Sequence, residues 1–395
     1  LWLRRSDQNR FLAYSTEAAP DPGASPRDEE TIVFRRCVLD NLVPDTRYYY
    51  KIEFKPTATS ESRFTPVYTF KTWPTDPQDW RFAVYGDTHA TSSSRQYNEN
   101  HERVAEAILS EHEESPLLFV VCTGDLVFSG SDYISWNHHF FYPAARLIRT
   151  LPVFVVAGNR DRDAGPFDHM SSFFDFPGEE TASYWDYDFK LGNSHLFFLD
   201  TGSEGPADSS VQDLFQKLEG SDKKWRFVFY HIPGYGHVET WEKADDEPGD
   251  NGKFTDTGMQ TVRLKLFNRN NTFYLDREDL YVTAVLCGHN DLHELASVKH
   301  TQEDVPLYLF TLGGGGAYLD EYLSLADPPN YPQGDWSNAT RVYPEDPDTD
   351  PSFNYCIAQV KSSYWVAFQV YFYSELEGQF FPLYDPPKTT DRGKP

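Results

Sequence analysis

The sequence predicts an α/β protein preceded by a small all-β module, on three observations. Residues 1 to 73 hold strand-like segments separated by Pro, Gly and Asp turns, with no helical period. From Trp80 onward, strands alternate with helical stretches. Five of those strands are short apolar runs, each ending on a side chain able to ligate a divalent metal.

The front module rests on Thr31–Val38, Tyr48–Phe54 and Val67–Thr72, which read as strands of a β-sandwich. Thr72-Trp-Pro-Thr-Asp-Pro77 reads as a stiff linker. The apolar runs follow: Arg81–Asp87, Leu117–Asp125, Leu151–Asn159, Trp225–His231 and Tyr281–His289. Unbroken Val, Phe and Leu bounded by Gly is the composition of strands buried on both faces. Ligands at their C-terminal ends would meet on one edge of an open sheet. Residues 98–114 place Val104, Ala107 and Ile108 at helical spacing, and 133–150, 209–218 and 257–268 are further helix candidates. Residues 193–200, 307–312 and 364–373 complete the strands, and the Pro- and Asp-rich stretch 327–351 reads as a long surface excursion.

The 395 residues suffice for one large domain plus a small one, and 39% hydrophobic with 16% aromatic content supplies a core. With 35 basic residues against 61 acidic ones, the net charge is −26. That argues against a nucleic-acid backbone or an anionic membrane as partner, since both select positive patches. A small phosphorylated substrate stays compatible, because bound cations invert the local field. No apolar run reaches the roughly 18–20 residues of a membrane span. The chain begins at Leu1 rather than Met, so an N-terminal segment is expected to be missing, with a removed signal peptide the favoured account. The sequons Asn270-Asn-Thr272 and Asn338-Ala-Thr340 would carry N-glycans in a secreted or cell-surface protein. Cys37, Cys122, Cys287 and Cys356 are too few for a disulfide scaffold, and Cys122 and Cys287 sit inside core strands as expected buried thiols. Nothing here separates a monomer from a homo-oligomer.

In order along the chain, Gly86-Asp87-Thr-His89, Gly124-Asp125, Gly158-Asn159, Tyr230-His231 and Gly288-His289 resemble the motif series of calcineurin-like metallophosphoesterases. The front module, His231-Ile-Pro-Gly-Tyr235 and Pro306–Gly316 are most similar to purple acid phosphatases and their relatives, over residues 30 to 380. Leu42-Val-Pro-Asp-Thr-Arg-Tyr-Tyr-Tyr50 resembles the tyrosine corner of fibronectin type III domains. The resemblance implies a fibronectin III-like sandwich over 1–75 and a four-layer α/β/β/α metallophosphoesterase domain over 76–395. It implies two divalent ions (Mn, Zn or Fe), with Asp87 and His89 on the first, Asp125 bridging, and Asn159, His231 and His289 on the second. A hydroxide held between the ions would attack phosphorus.

Three positions depart from that pattern. Phe128 stands where the family has Tyr or Asp three residues after the bridging carboxylate. Phe cannot ligate, so no purple iron chromophore is expected. Arg160 replaces the usual His of Gly-Asn-His-Asp. Arginine cannot act as an acid but can grip phosphoryl oxygens through its fork, which favours acidic leaving groups. A Gly-Asn-Arg-Asp motif also occurs in the superfamily's UDP-diacylglucosamine pyrophosphate hydrolases, so Arg160 is compatible with activity. Asp291 replaces the second His of Gly-His-x-His and is the expected ligand to the first ion, with His293 a substitute only if the loop were rearranged.

Asp161 would orient Arg160 or a metal ligand from behind. His237 would reach substrate from the loop after His231, or sit as a surface histidine. His138 and His139 read as packing or surface residues. Gly313–Gly316 either cradles a phosphate or makes a tight turn beside the site, and the turn is preferred because no helix follows. The function expected is a secreted dinuclear-metal phosphoesterase acting on phosphomonoesters, or on diesters with good leaving groups. The alternative, prompted by Arg160 and Asp291, is a catalytically weak or inactive homologue serving as an extracellular structural or adhesion module.

Overall fold

A computed structural model describes residues 1–10, 12–13, 17–18, 35–55, 59–90, 96–162, 169–174, 185–202, 205–235, 257–267, 275, 277, 280–298, 307–319, 339–343, 351–361, 364–383 and 388–389. The front region begins with β1 (Trp2–Arg5), β2 (Leu12–Ala13), β3 (Glu17–Ala18) and β4 (Arg35–Arg36). It continues with β5 (Arg47–Lys51), β6 (Glu53–Phe54), β7 (Arg63–Phe64) and β8 (Tyr68–Lys71). An antiparallel sheet runs β2-β1-β5-β8, with two-stranded ladders β3-β4 and β6-β7 beside it. Only the Arg35–Arg36 part of the Thr31–Val38 strand lies among the described residues as strand. The Tyr48 hydroxyl reaches back to the Val43 backbone N–H at 2.8 Å, the bond that fixes a tyrosine corner.

The expected linker is anchored rather than merely stiff. Trp73 packs at 5.4 Å from the Phe119 ring and 5.9 Å from Phe154, and its indole N–H donates to the Leu118 carbonyl at 2.9 Å. A half-buried indole that satisfies its N–H holds its segment against the following domain.

From there the chain runs β9 (Asp79–Tyr85), α1 (Glu99–Glu114), β10 (Phe119–Cys122), α2 (Tyr133–Ser135), α3 (Ala145–Ile148), β11 (Val153–Val155) and α4 (His169–Phe173). It continues β12 (Tyr187–Leu191), β13 (Ser194–Phe198), α5 (Asp208–Gly220), β14 (Trp225–Phe229), α6 (Thr257–Leu266) and β15 (Ala284–Cys287). The last strands are β16 (His293–Val298), β17 (Leu307–Leu312), β18 (Ala339–Tyr343), β19 (Asn354–Lys361), β20 (Trp365–Ser374), β21 (Gln379–Pro382) and β22 (Lys388–Thr389). The single helix expected over 133–150 is broken: a π-helical turn covers Trp136–Phe141, and Pro143, which has no N–H to donate, separates it from α3. The stretch 327–351 is not all excursion, since β18 pairs with β16 inside it.

Among the described residues, two seven-stranded sheets form. Sheet I runs β11-β10-β9-β19-β20-β21, with β22 also on β20, and sheet II runs β12-β13-β14-β15-β17-β16-β18. β9, β10 and β11 are mutually parallel, as are β13, β14, β15 and β17.

The apolar runs have two buried faces because each sheet is covered on both sides. Phe82, Val84, Phe119 and Val121 meet Phe198, Phe227, Phe229 and Leu286 between the sheets. The alternate residues Ala83, Tyr85, Val120 and Cys122 pack against Val104 and Ile108 of α1 and Leu147 of α3. On sheet II, Val228 and Val285 face Val211, Leu214 and Leu218 of α5 and Leu266 of α6. This is the expected four-layer α/β/β/α arrangement. Cys122, Cys287 and Cys356 are buried free thiols.

Candidate metal centre

Each apolar run delivers its candidate ligand just past a strand end. Asp87 follows β9, Asp125 follows β10 and Asn159 follows β11, while His231 follows β14 and His289 follows β15. Parallel registers such as Cys122↔Tyr85 and Phe229↔Leu286 bring these ends to one edge. Asp87, Asp125 and His289 have φ of 58°, 49° and 76°. Non-glycine residues in that left-handed region cost about 1–3 kcal/mol each and gather where a site demands a particular side-chain direction. Gly124, at φ 101°, lets the second loop pass close: a Cβ there would stand 2.6 Å from His231 Nδ1. A Cβ on Gly158 would fall 2.1 Å from Asp125 Oδ1.

Two groups of donors converge. Asp87, His89 and Asp291 bring ligand atoms within 4.8 Å of one another, and so do Asp87, Asp125 and His231. The carboxylate common to both is Asp87, whereas the resemblance gives the bridge to Asp125. Asp125 also meets Arg160, whose backbone N–H donates to Oδ1 at 2.9 Å and whose Nε lies 3.4 Å from Oδ2. Both Asp87 oxygens accept the His289 backbone N–H, at 3.0 and 2.9 Å.

The hydrogen bonds leave a surplus of electron pairs. His231 Nδ1 faces the Thr123 carbonyl at 2.9 Å, and His89 Nδ1 faces the Ala90 carbonyl at 3.2 Å. A carbonyl only accepts, so each Nδ1 carries the hydrogen and each Nε2 offers its lone pair in the neutral ring. Around His231 Nε2 stand Asn159 Oδ1 at 3.0 Å and Asp125 Oδ1 at 3.3 Å. His289 Nδ1 approaches the same Asn159 oxygen at 3.1 Å. His89 Nε2 lies 3.5 Å from Asp291 Oδ1. Acceptors that converge in this way fit divalent cations.

Charge within the site points the same way. Burial opposes ionisation of Asp125, yet His231, His89 and Arg160 outweigh it and hold its pKa well below the usual carboxylate range. Burial pulls His89 down, but Asp291 and then Asp125 reverse that and raise it.

Of the expected site residues, Asp87, His89, Asp125, Asn159, His231, His289 and Asp291 come together. His293 does not join them: it opens β16, is fully buried, and spends Nδ1 on the Thr311 carbonyl at 2.8 Å. Arg160 is 41% exposed at the mouth, with its guanidinium 5.6 Å from the Phe128 ring centre. Asp161 turns inward. Its oxygens accept the N–H groups of Leu126 at 2.8 Å, Val127 at 3.3 Å and Gly158 at 2.8 Å, tying the second and third motif loops together. Burial, then the charge of Asp125, pushes its pKa up to about 7.

His139 is packed, its Nδ1 accepting the Phe128 N–H at 3.0 Å. His237, the sequon Asn270-Asn-Thr272 and the sequon asparagine Asn338 lie outside the described residues. The glycine run is a turn, since Gly313 N–H donates to Leu292 O at 2.8 Å and Gly315 N–H to Gly86 O at 2.8 Å.

Two positioning groups escape a reading of motifs. Asn98 caps α1 with its oxygen, while its amide nitrogen donates to the carbonyls of Thr88 at 2.8 Å, His89 at 3.1 Å and Gly316 at 3.2 Å. An Asn at a predicted helix start was the available signal for the cap, though not for the second grip. The Thr123 carbonyl that orients His231 is backbone and leaves no trace in sequence.

Comparison with known proteins bears on the fold and the family. The chain superposes on the purple acid phosphatase PPD1 of yellow lupin (Lupinus luteus) seeds with a TM-score of 0.70 at 15% identity, over 98% of this chain and 68% of that one. It also resembles GAP50, the anchor in the inner membrane complex of Plasmodium, with a TM-score of 0.49 at 14% identity, over 80% of this chain and 91% of that one. PhoD gives a TM-score of 0.49 at 13% identity, over 90% and 80%. No curated protein matches this chain. The family model for calcineurin-like phosphoesterases matches residues 81–303, the span that carries all five ligand-bearing strands. With its fold, its ordered motifs and its paired donor groups in agreement, the chain belongs to the calcineurin-like phosphoesterase family of metal-dependent hydrolases.

Proposed function

We propose that this protein hydrolyses phosphomonoesters, or diesters with good leaving groups, at a pair of divalent ions. The observation that carries the reading is the convergence of two donor groups on the shared Asp87. One ion would be held by Asp87, His89 and Asp291, the other by Asp87, Asp125, Asn159, His231 and His289. Bound there, the ions would supply Lewis-acid polarisation of phosphoryl oxygens and a water-derived nucleophile at neutral pH.

The chain's own residues define what else the site can do. Arg160 reaches solvent and is permanently charged, so it can accept a phosphoryl oxygen into its fork. It cannot protonate a departing oxygen. That supports substrates whose leaving group departs as a stable anion. Asp161 keeps the loop bearing Asn159 and Arg160 in register with the loop bearing Asp125. The tyrosine-corner bond of Tyr48 supports a fibronectin III-like unit over 1–75, and the two sequons support the secreted reading.

The test couples metal content to leaving-group dependence. Elemental mass spectrometry of the protein incubated with Mn or Zn should give about two ions per chain. Hydrolysis of p-nitrophenyl phosphate should far exceed that of an alkyl phosphate, and Arg160→His should narrow the gap. A protein that retains no metal and turns over neither compound would sink the proposal.

A further inference from the structure

Pro143 has no N–H, which removes the i+5 partner of the His138 carbonyl and the i+4 partner of the His139 carbonyl. The neighbouring N–H groups are committed elsewhere, Tyr142 to Asn137 O at 2.9 Å and Ala144 to Phe140 O at 3.1 Å. Carbonyls inside a fold need donors, and the start of α1 supplies both. The Asn98 backbone N–H donates to the His138 carbonyl at 3.1 Å, and His101 Nδ1 donates to the His139 carbonyl at 2.6 Å. Burial lowers the His101 pKa to about 4, so its ring is neutral and Nε2 accepts the Tyr85 hydroxyl at 3.1 Å. The turn over Trp136–Phe141 is thereby pinned to α1 and to the end of β9, in the π-helical winding that recurs at functional sites.

So pinned, the turn presents two fully buried side chains, Trp136 and His139, to the segment 128–130. His139 Nδ1 accepts the Phe128 N–H at 3.0 Å, and the Trp136 indole N–H donates to the Gly130 carbonyl at 2.8 Å. They hold the two ends of a segment that meets Arg160 twice. The Gly130 N–H donates to the Arg160 carbonyl at 2.9 Å, and the Phe128 ring centre lies 5.6 Å from the Arg160 guanidinium. Gly130 passes so close that a Cβ there would fall 1.9 Å from the Asp161 carbonyl oxygen. Packing this tight transmits a shift of 128–130 to Arg160 instead of absorbing it.

We propose that Trp136 and His139 are positioning residues for Arg160: by clamping both ends of 128–130, they set the direction in which its guanidinium meets a phosphoryl oxygen. Both act through the backbone of that segment. What Arg160 grips is taken from the reaction proposed above, while the clamp itself stands on hydrogen bonds alone.

Two measurements separate the clamp from the reaction. Hydrogen exchange of the peptide spanning 126–130, in the full chain in EDTA, needs neither metal nor substrate. His139→Leu removes the acceptor for the Phe128 N–H and should speed that exchange by about tenfold or more. His139→Asn offers an oxygen in its place and should keep exchange near wild type. In the Mn-loaded protein, His139→Leu should raise KM for p-nitrophenyl phosphate about fivefold, with kcat within about twofold and metal content unchanged by mass spectrometry. His139→Asn should recover most of that loss, and adding His139→Leu to Arg160→Ala should cost almost nothing more. Trp136→Phe removes the indole N–H and should give the same shifts in exchange and KM, which covers a His139→Leu chain that does not fold. Exchange that stays slow in the folded variants overturns the clamp. Fast exchange with KM unmoved, or an undiminished cost in the Arg160→Ala background, overturns its action on Arg160. A wild-type protein without turnover sinks the reaction and not the clamp, which exchange then decides.

Discussion

Sheet I ends its strands on Asp87, Asp125 and Asn159, with His89 two residues past Asp87, whereas sheet II ends on His231 and His289, so two carboxylates enter from one side and two of the three imidazoles from the other. Each set is aimed by the opposite sheet. His231 of sheet II is oriented by the Thr123 carbonyl after β10, and Asp87 of sheet I accepts the His289 backbone N–H after β15. The site is therefore a property of the packing between two sheets, and the aromatic layer of Phe82, Phe119, Phe227 and Phe229 sets its dimensions. Carboxylates bring the negative charge that cations require. Imidazoles bring neutral lone pairs that tune which cation is preferred.

That division predicts unequal losses. Asp87→Ala or Asp125→Ala should lower kcat by about a thousandfold or more and drop bound metal below one ion per chain by mass spectrometry, because the charge that holds the cations is removed. His289→Ala should cost about a hundredfold, with metal recovered at higher added concentrations. Equal losses from both sheets would break the comparison.

Asp291 sharpens it, because sheet II here supplies a carboxylate where its other donors are imidazoles. Asp291→Ala should leave about one ion per chain and cost about a hundredfold in rate, since the donors around His231 remain intact. Asp291→His should hold two ions but shift preference from Mn towards Zn. Retention of both ions in the alanine variant would remove Asp291 from the centre.

The same two sheets differ in how much of them can be read from sequence. The ligand-bearing strands are legible because both faces are buried, which leaves unbroken apolar runs such as Phe119-Val-Val-Cys122. Edge strands are harder. β12 alternates apolar and polar in Tyr187-Asp-Phe-Lys-Leu191, a half-buried pattern that a search for apolar runs passes over. β16 opens on His293 and Glu294, both buried, so its polar start conceals a core strand. Ligand identities follow from motif order, but the grip of Asn98 and the carbonyl of Thr123 depend on tertiary approach. Asp161 sits in a legible motif, yet its partners are backbone N–H groups of another loop.

A smaller effect compares the layers away from the centre. His101 beneath sheet I and His293 in sheet II both have their pKa lowered to about 4 by burial. Each stays neutral in the folded chain while the unfolded chain takes up a proton near pH 6.5. Their contribution is thus present above about pH 6.5 and is lost as pH falls towards 4, at up to about 1.4 kcal/mol per pH unit for each. Asp186, pushed up to about 6 by burial, acts in the opposite sense, so the difference between variants is the informative quantity. Urea unfolding of His101→Gln and His293→Gln between pH 7 and pH 5 should each show less loss of stability on acidification than wild type. Parallel curves for wild type and variant would show that the histidine does not titrate on unfolding in that window.

The smallest effect concerns Phe128, on the sheet I side of the mouth. Its ring lies 5.6 Å from the Arg160 guanidinium carbon, while the Arg160 Nε lies 3.4 Å from Asp125. An exposed cation–π contact is worth about 0.5–1 kcal/mol, enough to bias a mobile side chain without fixing it. Phe128→Leu keeps an apolar residue but removes the quadrupole, so Arg160 should sample more rotamers and bind phosphate less often. The expected outcome is a KM raised about two- to fivefold with kcat nearly unchanged, the signature of lost ground-state positioning. Arg160→Ala should raise KM further, and adding Phe128→Leu to it should then cost almost nothing, because the two changes remove one interaction. Additive costs in the double variant would mean that Phe128 acts on the substrate or the metal loop directly, and the sheet I side would then contribute an apolar wall as well as its carboxylates.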